Sequence, residues 1–449
     1  MRFDATAFFG LLIALAGLAF CGLAPEWTAF GVLVASVLLA AIRRAFFHPA
    51  LFLSIGLLFI LLMGGLNISN YRGEVPGEIF GYILQCIMVL SGTAAVITLF
   101  PPPPRMRAPR LPALPYWMLW LALAPAVVGV LWIVATVGVP LLNPSMRFRA
   151  DPKAVFLVET ATAIATLMAY RFHINTRFSG ADWLMCALIG VLLLIPGYRN
   201  WIVVAILIGL IGLNRAGSLR IRLVPALFFT TTVIVFLAAV STFRRASSTE
   251  LLSSDLSAVK YQIQYLPPIL AQLHLGFRES IALTSQLIER HVDFKDQHVF
   301  LADVMTMLPG QGTSGGRVLA EQFGATQAGG LTPGLVGLLT TEFGQPWCLA
   351  AFAIAGAMGG AVWLWYARSR APEVAVLYGY HAVNFLLLFH RGILKPSMVV
   401  VPLYFLVVVF LMKLLRRGKP KLRLTPDMPI GEQEGSIVTV RPAARAKQS

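Results

Sequence analysis

The sequence predicts an all-α membrane protein, a polytopic bundle of about twelve transmembrane helices with one large, partly helical extracytoplasmic loop. Three observations predict it. Of the 449 residues 57% are hydrophobic and only 12% charged, whereas a soluble domain carries about 25% charge and needs polar surface to face water. Apolar runs close to the ~20 residues that cross a bilayer recur along the whole chain, separated by short polar connectors. Lys and Arg gather in alternate connectors, which is the distribution of the positive-inside rule.

With edges set to within several residues, the runs lie at 5–24, 27–42, 50–68 and 79–100. After a four-proline stretch they resume at 116–139, 155–172, 183–196, 201–213 and 224–243. A long polar segment, 244–333, precedes the last three runs at 347–367, 374–389 and 397–415. The chain therefore divides into nine spans (1–243), an extracytoplasmic loop (244–333), three spans (334–415) and a basic cytoplasmic tail (416–449). The tail is too poor in apolar residues to build a core. The first run has no small-residue cleavage site and is followed at once by another span, so it reads as a retained helix.

Both termini belong in the cytoplasm. That orientation puts 22 of the 36 Lys and Arg inside, and the even number of spans agrees with it. The net charge of +16 is then accounted for by connectors that face anionic lipid, and no nucleic-acid partner is implied. Cys21, Cys86, Cys186 and Cys348 fall in or beside spans and none lies in the long loop, so no disulfide framework is expected. No CxxC and no His/Cys cluster points to a metal or other cofactor.

Chemistry is expected on the outer side. Within the loop, Leu266, Leu270, Leu273, Phe277, Ile281 and Leu287–Ile288 recur near helical spacing, which predicts an amphipathic helix on or near the membrane surface. A second short helix is expected at 297–308. The glycine-rich run at 309–317 lacks the Gly-Lys-Ser/Thr ending of a phosphate loop and follows no strand, so it reads as a flexible loop facing substrate. Arg147, Arg149, Arg199, Arg278, Arg391 and Lys395 stand at outer helix mouths. Snorkelling accounts for any single one of them. As a set on the disfavoured side they fit a lipid-linked pyrophosphate, because guanidinium binds phosphate oxygens bidentately. Glu159 is an intramembrane acid and so a functional candidate, with pairing to Lys153 as the alternative. His381 and Asn384 are expected to bond neighbouring helices. Gly356 and Gly360 form a small-xxx-small pair that predicts close helix packing.

Four local patterns complete the reading: Gly138-Val139-Pro140-Leu141-Leu142 followed by Arg147; Gly197-Tyr198-Arg199-Asn200-Trp201; Gly330-Leu331-Thr332-Pro333 leading to Glu342-Phe343-Gly344; and His390-Arg391-Gly392. In this order, with one large loop before the last three spans, the chain resembles the O-antigen and exopolysaccharide repeat-unit polymerases. The resemblance covers roughly residues 138 to 392. It implies a multi-pass protein of the bacterial inner membrane that joins undecaprenyl-pyrophosphate-linked oligosaccharides by metal-independent transfer. It also implies partnership with a flippase and a chain-length regulator. Arg147, Arg199, Arg278 and Arg391 would then hold the pyrophosphate, and Glu279, or in second place His390, would accept the hydroxyl proton. Two alternatives stand beside it. One is an O-antigen ligase, with the same donor and a lipid-core acceptor. The other is a flippase or secondary transporter, against which weigh the lack of a detectable repeat between the halves and the scarcity of mid-membrane ionisable residues.

The topology is checked by labelling single cysteines from outside the cell. A cysteine at Ser253 should react and one at Ser218 should not; the reverse pattern inverts the orientation.

Overall fold

The computed structural model describes residues 3–101, 115–142, 146, 149–175, 178–197, 199–216, 262–263, 265–290, 299–300, 302, 315–322, 332–369, 371–392 and 394–417. Among these every regular element is a helix. The helices are α1 (Ala5–Phe20), α2 (Pro25–Arg43), α3 (Pro49–Gly65), α4 (Gly77–Thr98), α5 (Tyr116–Val137), α6 (Pro152–Glu159), α7 (Ala161–Asn175), α8 (Gly180–Leu194) and α9 (Arg199–Ala216). They continue with α10 (Pro268–Glu289), α11 (Gly315–Gln322), α12 (Leu335–Phe343), α13 (Gln345–Ser369), α14 (Pro372–Arg391) and α15 (Ser397–Arg417).

Seven stretches are long and apolar enough to cross a membrane: Pro25–Arg43, Gly77–Thr98, Tyr116–Val137, Pro152–His173, Gln345–Ser369, Pro372–Arg391 and Ser397–Leu415. Four shorter apolar helices, at Ala5–Phe20, Pro49–Gly65, Gly180–Leu194 and Trp201–Arg215, accompany them. The remaining expected span, 224–243, lies outside the described residues. So do most of the short helix expected at 297–308, the glycine-rich run up to 314 and the tail from 418.

Local chemistry sets the helix ends. The Asp4 carboxylate accepts from the amides of Thr6 and Ala7 and caps α1. Ser179 and Asp182 form a reciprocal capping box that starts α8. Proline opens α2, α3, α6 and α14, where its missing N–H costs nothing. Gly392, in the left-handed region at φ 66°, ends α14.

Contacts between helix ends define two faces. At the first, Asp4 N–H donates to Leu99 O at the end of α4, and its carboxylate pairs with His48 before α3. The His48 ring meets Trp363 near the end of α13, Arg215 at the end of α9 stacks on Trp363, and Lys413 near the end of α15 pairs with Glu373 at the start of α14. The first helix therefore begins, and the last one ends, on the same face. The opposite face gathers the end of α3, the start of α4, the end of α14 and the start of α15, and it carries α10.

α13 lies directly on α4, as the glycine spacing predicts. A Cβ on Gly356 would come within 2.2 Å of Leu90 O and of Thr93 Oγ1, and one on Gly360 within 2.8 Å of Ile97. Buried between the same two helices, Cys86 and Cys348 are free thiols whose sulfurs lie 3.9 Å apart, within S–H···S hydrogen-bond reach.

The run expected as one span at 155–172 lies within Pro152–His173, one of the stretches long and apolar enough to cross a membrane, with a single turn residue, Thr160, between α6 and α7. At that turn Thr160 Oγ1 and N–H both donate to Leu157 O, so a side chain competes with the helical ladder for that carbonyl. The amphipathic helix expected in the loop, on or near the membrane surface, is α10, and it packs against the ends of other helices. Along α10, His274, Arg278, Ser280, Ile281, Leu283, Thr284 and Leu287 are all buried. The apolar stripe is real, but the polar residues beside it bond the chain itself.

Gly356→Ala should therefore destabilise the protein by about 1–3 kcal/mol, the cost of overpacking against a backbone that cannot yield. Gly190→Ala, with open space around its Cβ, should be neutral or slightly stabilising. Melting temperatures in detergent compare the two.

Candidate functional site

The site is built where α10 crosses the ends of the spanning helices. Position 64 in α3 must be glycine for this approach, since a Cβ there would sit 2.6 Å from Phe277 O. Arg278, fully buried, points into the end of α3. Its guanidinium donates to Gly64 O and Gly65 O at 3.2 Å, to Leu66 O and Tyr71 O at 3.3 Å, to Asn67 Oδ1 at 2.8 Å and to Gly73 O. The last carbonyls of a helix have no partner within it, and here one cation satisfies them together with the following loop.

His274, one turn earlier, fixes the same loop. Its Nδ1 bonds Met63 O at 2.6 Å and its Nε2 bonds Ser69 Oγ at 2.7 Å. A carbonyl can only accept, so Nδ1 carries the proton and Ser69 donates to Nε2. Burial pulls the pKa of this imidazole down. The guanidinium assigned from sequence to pyrophosphate is thus engaged by the chain's own oxygens.

Glu279 lies beside Arg278 and pairs with Arg72 at 3.7 Å. Both side chains are about a quarter exposed, 27% and 26%. Burial pushes the Glu279 carboxyl above the usual carboxylate range, and Arg72 opposes the shift. On another face of α10, Ser280 Oγ donates to Phe277 O at 2.9 Å and meets His390 Nδ1 at 3.1 Å. The contact joins α10 to the end of α14 and takes up one ring nitrogen of His390. The Phe277 ring packs edge-on against this imidazole.

The four sequence patterns meet in pairs. Leu141 N–H donates to Ile195 O at 3.1 Å, and Gly197, at φ 77°, lies against Pro140, which joins the first pattern to the second. Gly334, just past the Gly330–Pro333 run, and Gly392 touch backbone to backbone; a Cβ on Gly392 would sit 2.7 Å from Gly334 O. Thr284 of α10 donates to Pro333 O and secures the junction.

Between the pairs lies a cavity of about 50 Å³, lined by Glu159 and Thr162 of the broken run, Trp201 and Val204 of α9, Tyr380, Asn384, Leu387 and Arg391 of α14, Lys395, and Ser397, Met398 and Val401 of α15. Trp201 belongs to the second pattern and Arg391 to the fourth. The first residues of α15 present the positive end of its dipole to the cavity. Burial pulls the Lys395 ammonium below the usual lysine range; Glu159 opposes that shift and Arg391 adds to it.

The structure brings Arg391 to this cavity and His390 to α10, one residue apart. Arg199 opens α9 two residues before Trp201, but its side chain, like the whole of Arg147, lies outside the described residues. His381 Nε2 bonds Ala355 O of α13 at 3.1 Å, and Asn384 donates to Met398 O of α15 at 2.9 Å, the helix-to-helix roles expected of both. Sequence reasoning gave no role to Arg72, and only the cavity shows that Glu159 faces Lys395 and Arg391. Among the described residues no group of three or more His, Cys, Asp and Glu side chains is placed to hold a metal ion.

Comparison of the chain with protein-family models, with curated proteins and with solved structures finds no match.

The different placements of the two arginines predict different failures. Arg278→Ala leaves several buried carbonyls without a donor, each worth about 1–3 kcal/mol, and should lower the melting temperature and the amount of protein in the membrane. Arg391→Ala, at a cavity, should leave the amount near normal. Immunoblots of membranes and thermal melts of purified protein read both effects.

Proposed function

We propose that the chain is a membrane glycosyltransferase that polymerises undecaprenyl-pyrophosphate-linked oligosaccharide repeat units on the outer side of the bacterial inner membrane. In this reading it has about twelve spans, both termini in the cytoplasm, and the 244–333 loop outside. The observation that carries it is the cavity lined by Arg391, Lys395 and Trp201 at the helix ends opposite the termini, where two of the polymerase-like patterns meet. Its arginine and lysine suit it to the phosphate end of a lipid-linked donor.

In the transfer, a hydroxyl oxygen of the second repeat unit attacks the anomeric carbon of the donor. The bond from that carbon to the phosphate oxygen breaks, its electrons leave with the lipid pyrophosphate, and the anomeric centre inverts. Arg391 and Lys395, with Arg147 and Arg199, stabilise the charge that develops on the leaving group. Arg278 supports the site from behind by holding α10 on α3. The hydroxyl proton goes to Glu279, whose raised pKa suits a proton acceptor, or in second place to His390. A flippase supplies repeat units from the inner leaflet and a chain-length regulator sets when transfer stops.

A second reading has one observation in its favour: an interrupted spanning run with a buried acid at the break, the arrangement of secondary transporters. Lipid analysis of a deletion strain separates the classes. Loss of a polymerase leaves single lipid-linked repeat units on the outer leaflet and no long polymer. Long polymer stranded on its lipid carrier indicates a ligase, and repeat units confined to the cytoplasmic leaflet indicate a flippase.

Arg199 tests the chemistry. Lysine snorkels as well as arginine but offers only a point charge to a pyrophosphate. Arg199→Lys and Arg199→Ala should both lower the transfer rate by about 10²–10³ and abolish visible polymer at normal protein levels. Wild-type ladders from Arg199→Lys would make this residue structural.

A further inference from the structure

We propose that Glu159 is a built-in counter-ion of the cavity, compensating the Arg391 and Lys395 cations while the cavity is empty and competing with the anionic phosphate group that binds there. This rests on the reading of the cavity as a pyrophosphate site and adds a residue that governs its affinity.

The argument starts from cost. Glu159 is buried, 7% exposed, inside a stretch apolar enough to span a membrane, where a charge persists only with a partner or a functional reason. It is the last residue of α6, and the break that follows at Thr160 occurs at the level of the cavity. Arg391 and Lys395 reach the same space from α14 and the start of α15. Two cations brought together at the edge of an apolar interior repel each other and lose hydration. A carboxylate on the facing wall offsets both penalties: the cavity sets Glu159 across from Lys395 and Arg391, and its charge favours the Lys395 ammonium that Arg391 disfavours. A phosphate arriving in the cavity makes the same compensation with more negative charge. It cannot do so beside an intact carboxylate without like-charge repulsion, so the acid weakens binding and eases departure of the leaving group once the sugar has moved on. A site built only to grip phosphate has no use for an acid in its wall.

The experiment uses the purified full-length protein in detergent, with inorganic pyrophosphate as the probe, read by calorimetry and by thermal melts with and without the probe. Wild type, Glu159→Gln, Glu159→Asp and Arg391→Ala are compared. Glu159→Gln keeps the shape and removes the charge. It should melt lower than wild type without pyrophosphate, bind pyrophosphate about tenfold more tightly, and recover its melting temperature as the probe is added. Glu159→Asp should resemble wild type. A purely structural glutamate would lower the melting temperature with no gain in affinity and no recovery. Unchanged or weaker binding by Glu159→Gln, while wild type binds and Arg391→Ala does not, overturns the counter-ion role and leaves the pyrophosphate site standing. Absence of binding in folded wild type and in every variant overturns the site itself, and the counter-ion with it.

Discussion

A helix that ends inside a protein must find partners for its last carbonyls, and the rest of this structure depends on how α3 finds them. Gly64 and Gly65 are buried there and α4 begins only at Gly77, so their carbonyls look to a side chain for a donor. One guanidinium, from a residue more than two hundred positions along the chain, supplies five donors in a planar fork and reaches the α3 end and the loop at once. These bonds hold α10 against the end of α3. His274 and Gln286, which donates to Arg72 O at 2.8 Å, fix its rotation. Once α10 is fixed, Ser280 meets His390, Thr284 meets Pro333, and the end of α14 takes its place beside the start of α15. The cavity is the space left between that assembly and the broken α6–α7 run.

The apolar architecture was legible in the sequence because it is set by composition over windows of about twenty residues. The helices at 5–20, 25–43, 77–98 and 116–137 follow their hydrophobic runs closely, and Gly356 and Gly360 announced a backbone approach that Leu90 and Thr93 realise. What was not legible depends on partners distant in sequence. Nothing around Arg278 distinguishes a substrate ligand from a clamp; the distinction lies in six oxygens at 64–73. The interruption at Thr160 is a local competition for the carbonyl of Leu157, and its hydropathy is that of an unbroken span. Glu159 was visible as an acid in an apolar run, but its neighbours come from α14 and α15, and the nearby lysine in sequence, Lys153, was the only partner the sequence could offer.

The two halves of the site differ in kind. Around Arg278 and His274 the guanidinium and both ring nitrogens are engaged by oxygens of the chain itself, which favours a rigid, single arrangement. Around Arg391, Lys395 and Glu159 the charges share a cavity, where a change of occupant shifts the balance of forces. A rigid frame beside a charge-balanced pocket is the division that catalytic and binding sites require: the frame sets positions, and the pocket retains the capacity to respond.

The reach of the Arg278 contact also bears on how the protein is made. Gly64 and Arg278 are 214 residues apart. At about 5–20 residues per second of synthesis, roughly ten to forty seconds separate the appearance of the α3 end from that of the side chain that satisfies it. During that interval the α3 end has no donor from α10. It is completed only when a late segment of the chain folds back across it.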